Sequence, residues 1–387
     1  MDSNLPPENN PPPLNTPLPP PPYAKPPPII MPPSAPLRVR TGTGWKVFAF
    51  VTLALLLISV LFNFTHFVSG MTSVKGRSYR SYGPRLEEVL IRDNASDNKI
   101  AVIDVDGVIS GEAVDQGGFS MVSVIKEELK RARKDRQVKA VILRVNSPGG
   151  EVLASDEIAK AISQFQEQAN KPVVVSMGSL AASGGYYVSA PCDWIVANEL
   201  TITGSIGVIM HGFNYRGLMD KLGVRPEVYK SGKFKDMMSG TKSEEEISPE
   251  ERKMVQDLID ETFGKFKEVV KVGRTAAHKG HEGKGKALAK DWESYADGRI
   301  LSGKQALDLG FVDELGDFEV AVKRAKDLAH LSKSDASVVQ YQPIFELSNL
   351  FHLFGQTDAK SVKVDLGMDV PKLKAGYLYF MSPTYLH

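Results

Sequence analysis

Cysteine is nearly absent from this 387-residue chain: Cys192 stands alone, so no intramolecular disulfide can form and no zinc site can be built on thiolates. An excess of either charge is also missing. The 47 basic and 46 acidic residues leave a formal net charge of +1, without the basic surplus that marks a nucleic-acid-binding protein. The seven histidines show no metal-ligand spacing, and neither a metal nor a cofactor is expected. Long hydrophobic runs are confined to one place, which excludes a polytopic membrane protein. With 42% hydrophobic and 24% charged residues the chain is not wholly disordered, and its length suits one large domain or two small ones plus tails.

Proline is unevenly spread. Most of the 25 prolines precede Leu37, in runs such as Pro11-Pro12-Pro13 and Pro26-Pro27-Pro28. Such a stretch cannot form a core and favours polyproline II, so residues 1–44 are expected to be a disordered tail, open to a proline-reading partner of unknown identity. The single apolar run follows. Val47 to Val68 holds 22 residues and begins beside Trp45 and Lys46. At about 1.5 Å per residue it reaches about 33 Å, enough for one hydrocarbon core. The proline-rich leader is too long for the n-region of a cleaved signal, so a retained transmembrane helix over 45–69 is expected. Basic residues flank it on both sides (Arg38, Arg40 and Lys46 before, Lys75, Arg77, Arg80 and Arg85 after), and orientation stays open on charge alone. Residues 70–98 read as a polar connector.

From Lys99 the pattern is α/β. The β-branched run Ile100–Val105, then Val138–Val145, Val173–Val175, Trp194–Ala197 and Ile206–Met210, read as strands. They alternate with helices expected over Phe119–Lys134, Ser155–Ala169, Ala181–Ala190 and Ser248 to about Val272, the last with a serine cap and proline at its first position. This order implies a largely parallel sheet wrapped by helices, in which successive strand–strand–helix units are plausible. The domain is expected over 99–335, with a C-terminal extension over 336–387 that is mixed in character.

Three segments could carry chemistry. Ser147-Pro148-Gly149-Gly150 follows a strand, and paired glycines can aim backbone N–H groups at a developing oxyanion; a tight strand-to-helix turn would look the same. In Gly178–Tyr187, small residues surround Ser183 between a strand and a helix start, where a hydroxyl is a candidate nucleophile and where close helix–sheet packing would also demand small side chains. Its pattern is not the Gly-x-Ser-x-Gly elbow of α/β-hydrolases. Ser231–Asp236 offers Lys233 and Lys235, which would share one side of an extended segment. A lysine serves as base only where burial lowers its pKa from about 10.4 toward about 7–8. Spacing does not choose between the two.

Taken together, Val-Asn-Ser-Pro-Gly-Gly at 145–150, Ala-Ala-Ser-Gly-Gly-Tyr-Tyr at 181–187, Thr-Gly-Ser-Ile-Gly-Val at 203–208 and Ser-Gly-Lys-Phe-Lys-Asp at 231–236 closely resemble the signal peptide peptidase A (protease IV) family. Ala-Asp-Gly-Arg at 296–299 and Leu-Gly-Phe-Val-Asp-Glu-Leu at 309–315 extend the match, which is collinear from about Lys99 to about Leu328. The resemblance is to the short, single-core form and implies a Ser-Lys peptidase on the ClpP/crotonase-like fold of repeated β-β-α units. It implies Ser183 as nucleophile, Lys235 as general base, the N–H groups of Gly150 and Gly184 as oxyanion donors, and Ser205 as the residue orienting the lysine. It further implies a homo-octameric ring with the dyad shared between neighbours, the catalytic part outside the cytoplasmic membrane, and signal peptides left after preprotein processing as substrates. The proline-rich leader and the extension past about Ser337 depart from the family pattern.

Other readings compete. His211 follows a strand and would give a ClpP-like Ser-His pair. Asp104-Val105-Asp106-Gly107 resembles the nucleophile loop of magnesium-dependent phosphatases, although no later lysine and acidic pair completes that set. A crotonase-type acyl-CoA enzyme would also use paired backbone donors, against which the anchor and the Ser/Lys set both count. A non-catalytic membrane scaffold on the same core would not need the Ser183 hydroxyl. Tyr377, Tyr379 and Tyr385 suit an edge strand or a packing surface.

Overall fold

Strands rich in valine and isoleucine are apolar on both sides here, as burial between two helical layers requires. The computed structural model describes residues 43–72, 83–112, 118–331, 336–343 and 378–381. The expected proline-rich tail lies outside them. The chain divides into two units, Met1–Ser78 and Tyr79–His387.

In the first unit, α1 (Thr43–Thr72) is a 30-residue helix whose side chains are described from Lys46 to Leu61. Among the described residues no helix is long and apolar enough to cross a membrane. The expected span runs past the last described side chain.

The second unit is mixed α/β. Its strands are β1 (Leu86–Arg92), β2 (Lys99–Asp106), β3 (Val138–Ser147), β4 (Gly149–Glu151), β5 (Val173–Ala182), β6 (Trp194–Ala197), β7 (Ile202–Gly204), β8 (Ile209–Met210), β9 (Ile300–Ser302), β10 (Glu314–Leu315), β11 (Ser337–Pro343) and β12 (Leu378–Met381). Its helices are α2 (Met121–Lys134), α3 (Val152–Ala169), α4 (Gly184–Ser189), α5 (Arg216–Lys221), α6 (Pro249–Gly280), α7 (Gly303–Asp308) and α8 (Phe318–Leu328). The main sheet runs β1-β11-β2-β3-β5-β6-β10, with β7 and β9 joined beyond the second half of β5. Among its described strands, β1–β11 and β7–β9 pair antiparallel and the other pairs are parallel. A second, smaller sheet has the order β4-β12-β8.

Alternating residues feed two cores. Ala101, Ile103, Val141, Leu143, Val173 and Val175 belong to the cluster that includes α2, α3, α4 and α6 side chains. Ile100, Val102, Ala140, Ile142, Val174 and Val196 pack with Ala321, Val322 and Ala325 of α8. Both faces are therefore dry.

Several boundaries depart from the sequence expectations. Part of the expected connector forms β1, and the start of the expected extension forms β11, which pairs with both β1 and β2. With Glu87, Glu88 and Arg92 on an edge strand, β1 lacks the apolar alternation that reveals a strand. Ser147–Gly150 is not a simple turn, because Gly149 and Gly150 open β4. The α3 helix starts at Val152 rather than Ser155, whose hydroxyl instead donates to the Glu151 carbonyl at 2.9 Å from inside the first turn. Ala181 and Ala182 finish β5 rather than start a helix, and the expected strand over Ile206–Met210 is reduced to β8. The long helix continues past Val272 to Gly280.

One buried ion pair fixes α6 to the sheet. The Arg274 guanidinium bonds the Asp313 carboxylate with both side chains essentially unexposed, and Arg274 Nη1 donates to the Cys192 carbonyl at 2.8 Å. Asp313 also accepts from the backbone N–H of Ile195 at 2.8 Å. Cys192 itself is fully buried, and desolvation pushes its thiol far above the usual range, which makes it inert. Removing one partner of such a pair strands the other charge, at a cost of about 3–5 kcal/mol. Asp313→Ala should therefore lower the calorimetric Tm by about 10 °C, whereas an unchanged Tm would show that the pair does not fix α6.

Candidate active site

The site is built where the carboxyl ends of β3 and β5 meet. Ser147 of β3 pairs with Ala181 of β5, and two residues later each strand has left the sheet. After β3 the chain passes Pro148 into Gly149, at φ +100°, and Gly150. Neither glycine can carry a side chain. A Cβ on Gly150 would fall 1.9 Å from the Ile109 carbonyl oxygen, and one on Gly149 would fall 2.6 Å from the Gly184 nitrogen. Ile109 holds this strand from its other edge, its N–H donating to the Gly149 carbonyl at 2.9 Å and its carbonyl accepting from the Glu151 N–H at 2.8 Å.

After β5 comes Ser183. Its backbone sits at φ +53°, ψ −114°, a region that a residue with a Cβ seldom occupies. Its N–H is spent on the Gly204 carbonyl at 2.8 Å. The hydroxyl is buried, with the residue 1% exposed, and Oγ has no hydrogen-bond partner among the described residues. The backbone strain and the orphan hydroxyl each cost about 1–3 kcal/mol. A merely structural serine has no reason to carry both.

Gly184 and Gly185 begin α4 immediately behind it, and the first amides of a helix have no carbonyl partner within it. A Cβ on Gly184 would lie 3.1 Å from the Gly150 nitrogen and 2.7 Å from Ser155 Oγ. The two expected oxyanion donors are thus adjacent, one from each corner. The short helix is pinned by its tyrosines. Tyr186 OH donates to the Phe311 carbonyl at 3.0 Å, and Tyr187 OH donates to Asp156 Oδ1 at 2.9 Å. Burial pushes both phenols above their usual range.

Ser205 follows β7, which pairs with the end of β5 through Ala182 and Gly204. It is buried, also at positive φ (+51°), and its N–H donates to the Arg299 carbonyl at 2.7 Å. The fold therefore carries Ser205 to the flank of Ser183 across one strand pairing.

Lys235 is placed differently. Residues 231–238 form a succession of turns, not an extended segment, with Lys235 N–H donating to the Gly232 carbonyl at 3.2 Å and Met237 N–H to the Phe234 carbonyl at 3.0 Å. Lys233 and Lys235 hence do not share a face by strand alternation. Lys233 pairs with Glu250 at 2.5 Å and covers the Phe234 ring. Lys235 is exposed and makes no side-chain hydrogen bond or ion pair among the described residues. Since Ser183 Oγ has no partner, the two are not hydrogen-bonded within one chain. Lys235 sits on an excursion closed at its base by Tyr215 N–H to the Gly240 carbonyl at 2.9 Å and by Asn214 Nδ2 to the Lys242 carbonyl at 2.9 Å. This arm exposes Leu218, Leu222, Val224, Val228 and Tyr229, the last at 92%.

The competing residues have other duties. His211 is exposed against the Phe213 ring and is not bonded to Ser183. Asp104 is held by Arg144 at 2.6 and 2.8 Å, and Asp106 accepts from Asn146 at 3.0 Å, so both carboxylates serve cross-strand pairs. No group of three potential metal-ligating side chains occurs among the described residues.

Sequence reasoning offered a strand or packing surface around Tyr379 but did not place it at the site. Strand β12 from the C-terminal extension enters the site and pairs with β4, Phe380 opposite Gly150 and Met381 opposite Gly149. The continuous aromatic and apolar run Tyr377-Leu378-Tyr379-Phe380-Met381 was the available signal for a strand, but nothing in it named its partner.

Residues 165–332 match the model of peptidase family S49. An Enterococcus faecium protein named "Putative signal peptide peptidase SppA" is 37% identical over 276 residues, covering 70% of this chain and 75% of that protein. Protease 4 of Haemophilus influenzae is 35% identical over 63% of this chain, which spans 37% of that longer protein. The chloroplastic serine protease SPPA of Arabidopsis thaliana is 31% identical over 60% of this chain and 33% of its own length. Among solved structures, a mutant of the 1510-N membrane-bound stomatin-specific protease in complex with a substrate peptide is similar at 16% identity and a TM-score of 0.37, over 66% of this chain and 97% of that one, a likeness too slight to argue from. With a strained, buried serine that has no partner among the described residues, set between two glycine corners, and with these relatives, the chain belongs to peptidase family S49, beside the SppA and protease 4 proteins, and is a serine peptidase.

Proposed function

We propose that this chain is a membrane-anchored serine endopeptidase with a Ser183–Lys235 dyad, completed between neighbouring subunits, that degrades signal peptides after their release from preproteins. The observation that carries the reading is the Ser183 hydroxyl, buried, strained and without a partner among the described residues, close to the corners that hold Gly150 and Gly184. A hydroxyl so placed awaits a base, and the described residues of its own chain offer none within hydrogen-bond reach.

The exposed arm supplies one. Its apolar side chains call for a covering surface, and a second copy of this chain seated there would desolvate Lys235. A desolvated amine is neutral at working pH and can accept a proton. Lys235 Nζ then takes the proton from Ser183 Oγ, and the alkoxide attacks the scissile carbonyl carbon. The oxyanion rests on the N–H groups of Gly150 and Gly184, with Ser205 orienting the amine. Collapse breaks the C–N bond, and the lysine ammonium gives its proton to the leaving amine. Water, deprotonated by the same lysine, hydrolyses the acyl-serine. A ring of such copies, eight in the proposed assembly, puts each arm on the next subunit's site, on the crotonase-like fold of the ClpP type.

The sequence of the first helix supports the anchor. The run Val47–Phe62 carries no charged side chain and is rich in Leu, Phe, Val and Ala, and tethering at the outer face of the cytoplasmic membrane would bring the site to membrane-derived peptides. The printed name of the Enterococcus relative supports that substrate class. Replacing Leu55 and Leu56 with aspartate should release the protein from sodium-carbonate-washed membranes; retention in the pellet would contradict the anchor.

Ser183→Ala and Lys235→Ala should each reduce hydrolysis of an unfolded protein substrate by at least about 10³-fold. Mixed as equal subunits, the two inactive proteins should regain about a quarter of wild-type activity, because half of the intact serines then meet an intact lysine from a neighbour. No recovery after subunit exchange would place the base elsewhere. His211→Gln should leave kcat/KM within about twofold, and a loss comparable to that of Lys235→Ala would favour a Ser-His pair instead.

A further inference from the structure

The first turn of α6 grips the arm on both sides of Lys235. Acidic side chains are favoured there, because the first amides of a helix leave partial positive charge. Pro249 opens the helix, and Glu250 and Glu251 follow it. Glu250 Oε2 accepts from Lys233 Nζ at 2.5 Å, just before Lys235 in the chain. Glu251 Oε1 accepts from the backbone N–H of Met238 at 3.0 Å, just after it. Met238 sits at φ +64°, a conformation that a residue with a Cβ keeps only where its surroundings fix it.

The two ties differ in strength. Lys233 and Glu250 are both exposed, and such a pair contributes little. Glu251 is buried, and its Oε2 accepts from Lys242 Nζ at 2.5 Å. Every residue from Lys230 to Lys242 is described, and Lys242 is the buried one. Its amine also lies 3.7 Å from Asp236, the residue after Lys235, and Asp236 in turn holds Lys230 at 2.8 Å. A chain of alternating charges thus runs from Glu251 through Lys242 and Asp236 to Lys230, across the turn that carries Lys235. Although buried, Lys242 is no candidate base: its hydrogen bond to the Glu251 carboxylate holds the ammonium above the usual lysine range. The far end of this chain is firm. Phe266 and Val270 of α6 are fully buried, Phe266 lies 5.0 Å from the Tyr187 ring, and Arg274 pairs with Asp313.

We infer that Glu251 is a positioning residue of the peptidase: paired with Lys242, it fastens the turn from Lys233 to Met238 to the end of α6, so that each subunit presents its Lys235 amine in the direction of a neighbouring Ser183. The inference rests on the reading of Lys235 as the shared base. A buried ion pair that served α6 alone would not need to accept the Met238 N–H or to reach Asp236. Misplacing a reacting group by about 1 Å can cost about a hundredfold in rate. An amine free to swing outward also stays solvated and charged, and cannot take the serine proton.

Removing one partner would strand the other charge, so the test removes both, as Glu251→Ala with Lys242→Met in the full chain. Ser183→Ala chains lend only lysines, and Lys235→Ala chains lend only serines. Placed in the lysine-lending chain, the double substitution should cut the activity recovered on mixing by at least about tenfold; placed in the serine-lending chain, it should leave that recovery within about twofold of the parental mixture. Equal losses from the two placements, or no loss from either, overturn the inference, because a pair that only stabilises the fold acts alike in both. In chains that keep Ser183 and Lys235, the acidic limb of the kcat/KM–pH profile should move up by about one unit, since a less desolvated amine loses its proton at higher pH. Lower activity with that limb unmoved overturns the inference as well, and this readout holds even where the parental mixture recovers nothing, a result that counts against the shared dyad and not against Glu251.

Discussion

Everything at this site depends on a close approach that two glycines permit. Gly149 and Gly184 bring the corner after β3 and the corner after β5 within van der Waals contact, and a single methyl group at either would collide with backbone or side-chain atoms. Parallel strands end at the same level of a sheet, so their following turns naturally converge there. What the sequence adds is the absence of side chains at the point of convergence. Two amides from different turns then lie near a serine held at positive φ, and its hydroxyl has no partner among the described residues. The cost of that arrangement is offset by the two dry cores beneath and by the buried Arg274–Asp313 pair that, with the Cys192 carbonyl, ties α6 to the chain segments after α4 and α7.

The long arm from Asn214 to Gly240 belongs to a different physical regime. Its described side chains are mostly exposed, including several large apolar ones, and its base is closed by a few polar contacts. A segment with so little internal packing draws its order from whatever covers it. The proposed division of labour follows: the rigid sheet holds the nucleophile and the oxyanion donors, and an adaptable arm brings the base. Substrate entry and dyad assembly would then both be matters of association rather than of chemistry within one chain.

Much of this was legible in the residues. The runs Ile100–Val105 and Val138–Val145 announced central parallel strands because both faces of each are apolar, and the cap, proline and acidic first turn at Ser248–Glu251 announced α6. Motif resemblance singled out Ser183, Gly150, Gly184 and Ser205 as candidates, and the fold places them near one another at the ends of β3, β5 and β7. Legibility failed where partners are distant in sequence. Strand β1 is charged and gains its identity from β11, about 250 residues later; β12 gains its identity from β4 and β8. Small residues misled too: Ala181 and Ala182 favour helix locally, yet close packing beside β3 and β7 holds them in a strand. The turn at Ser231–Met238 could not be distinguished from an extended segment, because hydrogen bonds from Lys235 and Met237 to nearby carbonyls leave no periodic signature.

The most direct measurement is an experimental structure of the assembled protein, in membranes or detergent, read at one distance. A Lys235 Nζ from an adjacent subunit at about 2.6–3.2 Å from Ser183 Oγ, screened from solvent by the apolar arm, is the predicted result. An assembly in which every Lys235 amine stays in bulk water, well beyond hydrogen-bond reach of any Ser183, would contradict the shared dyad.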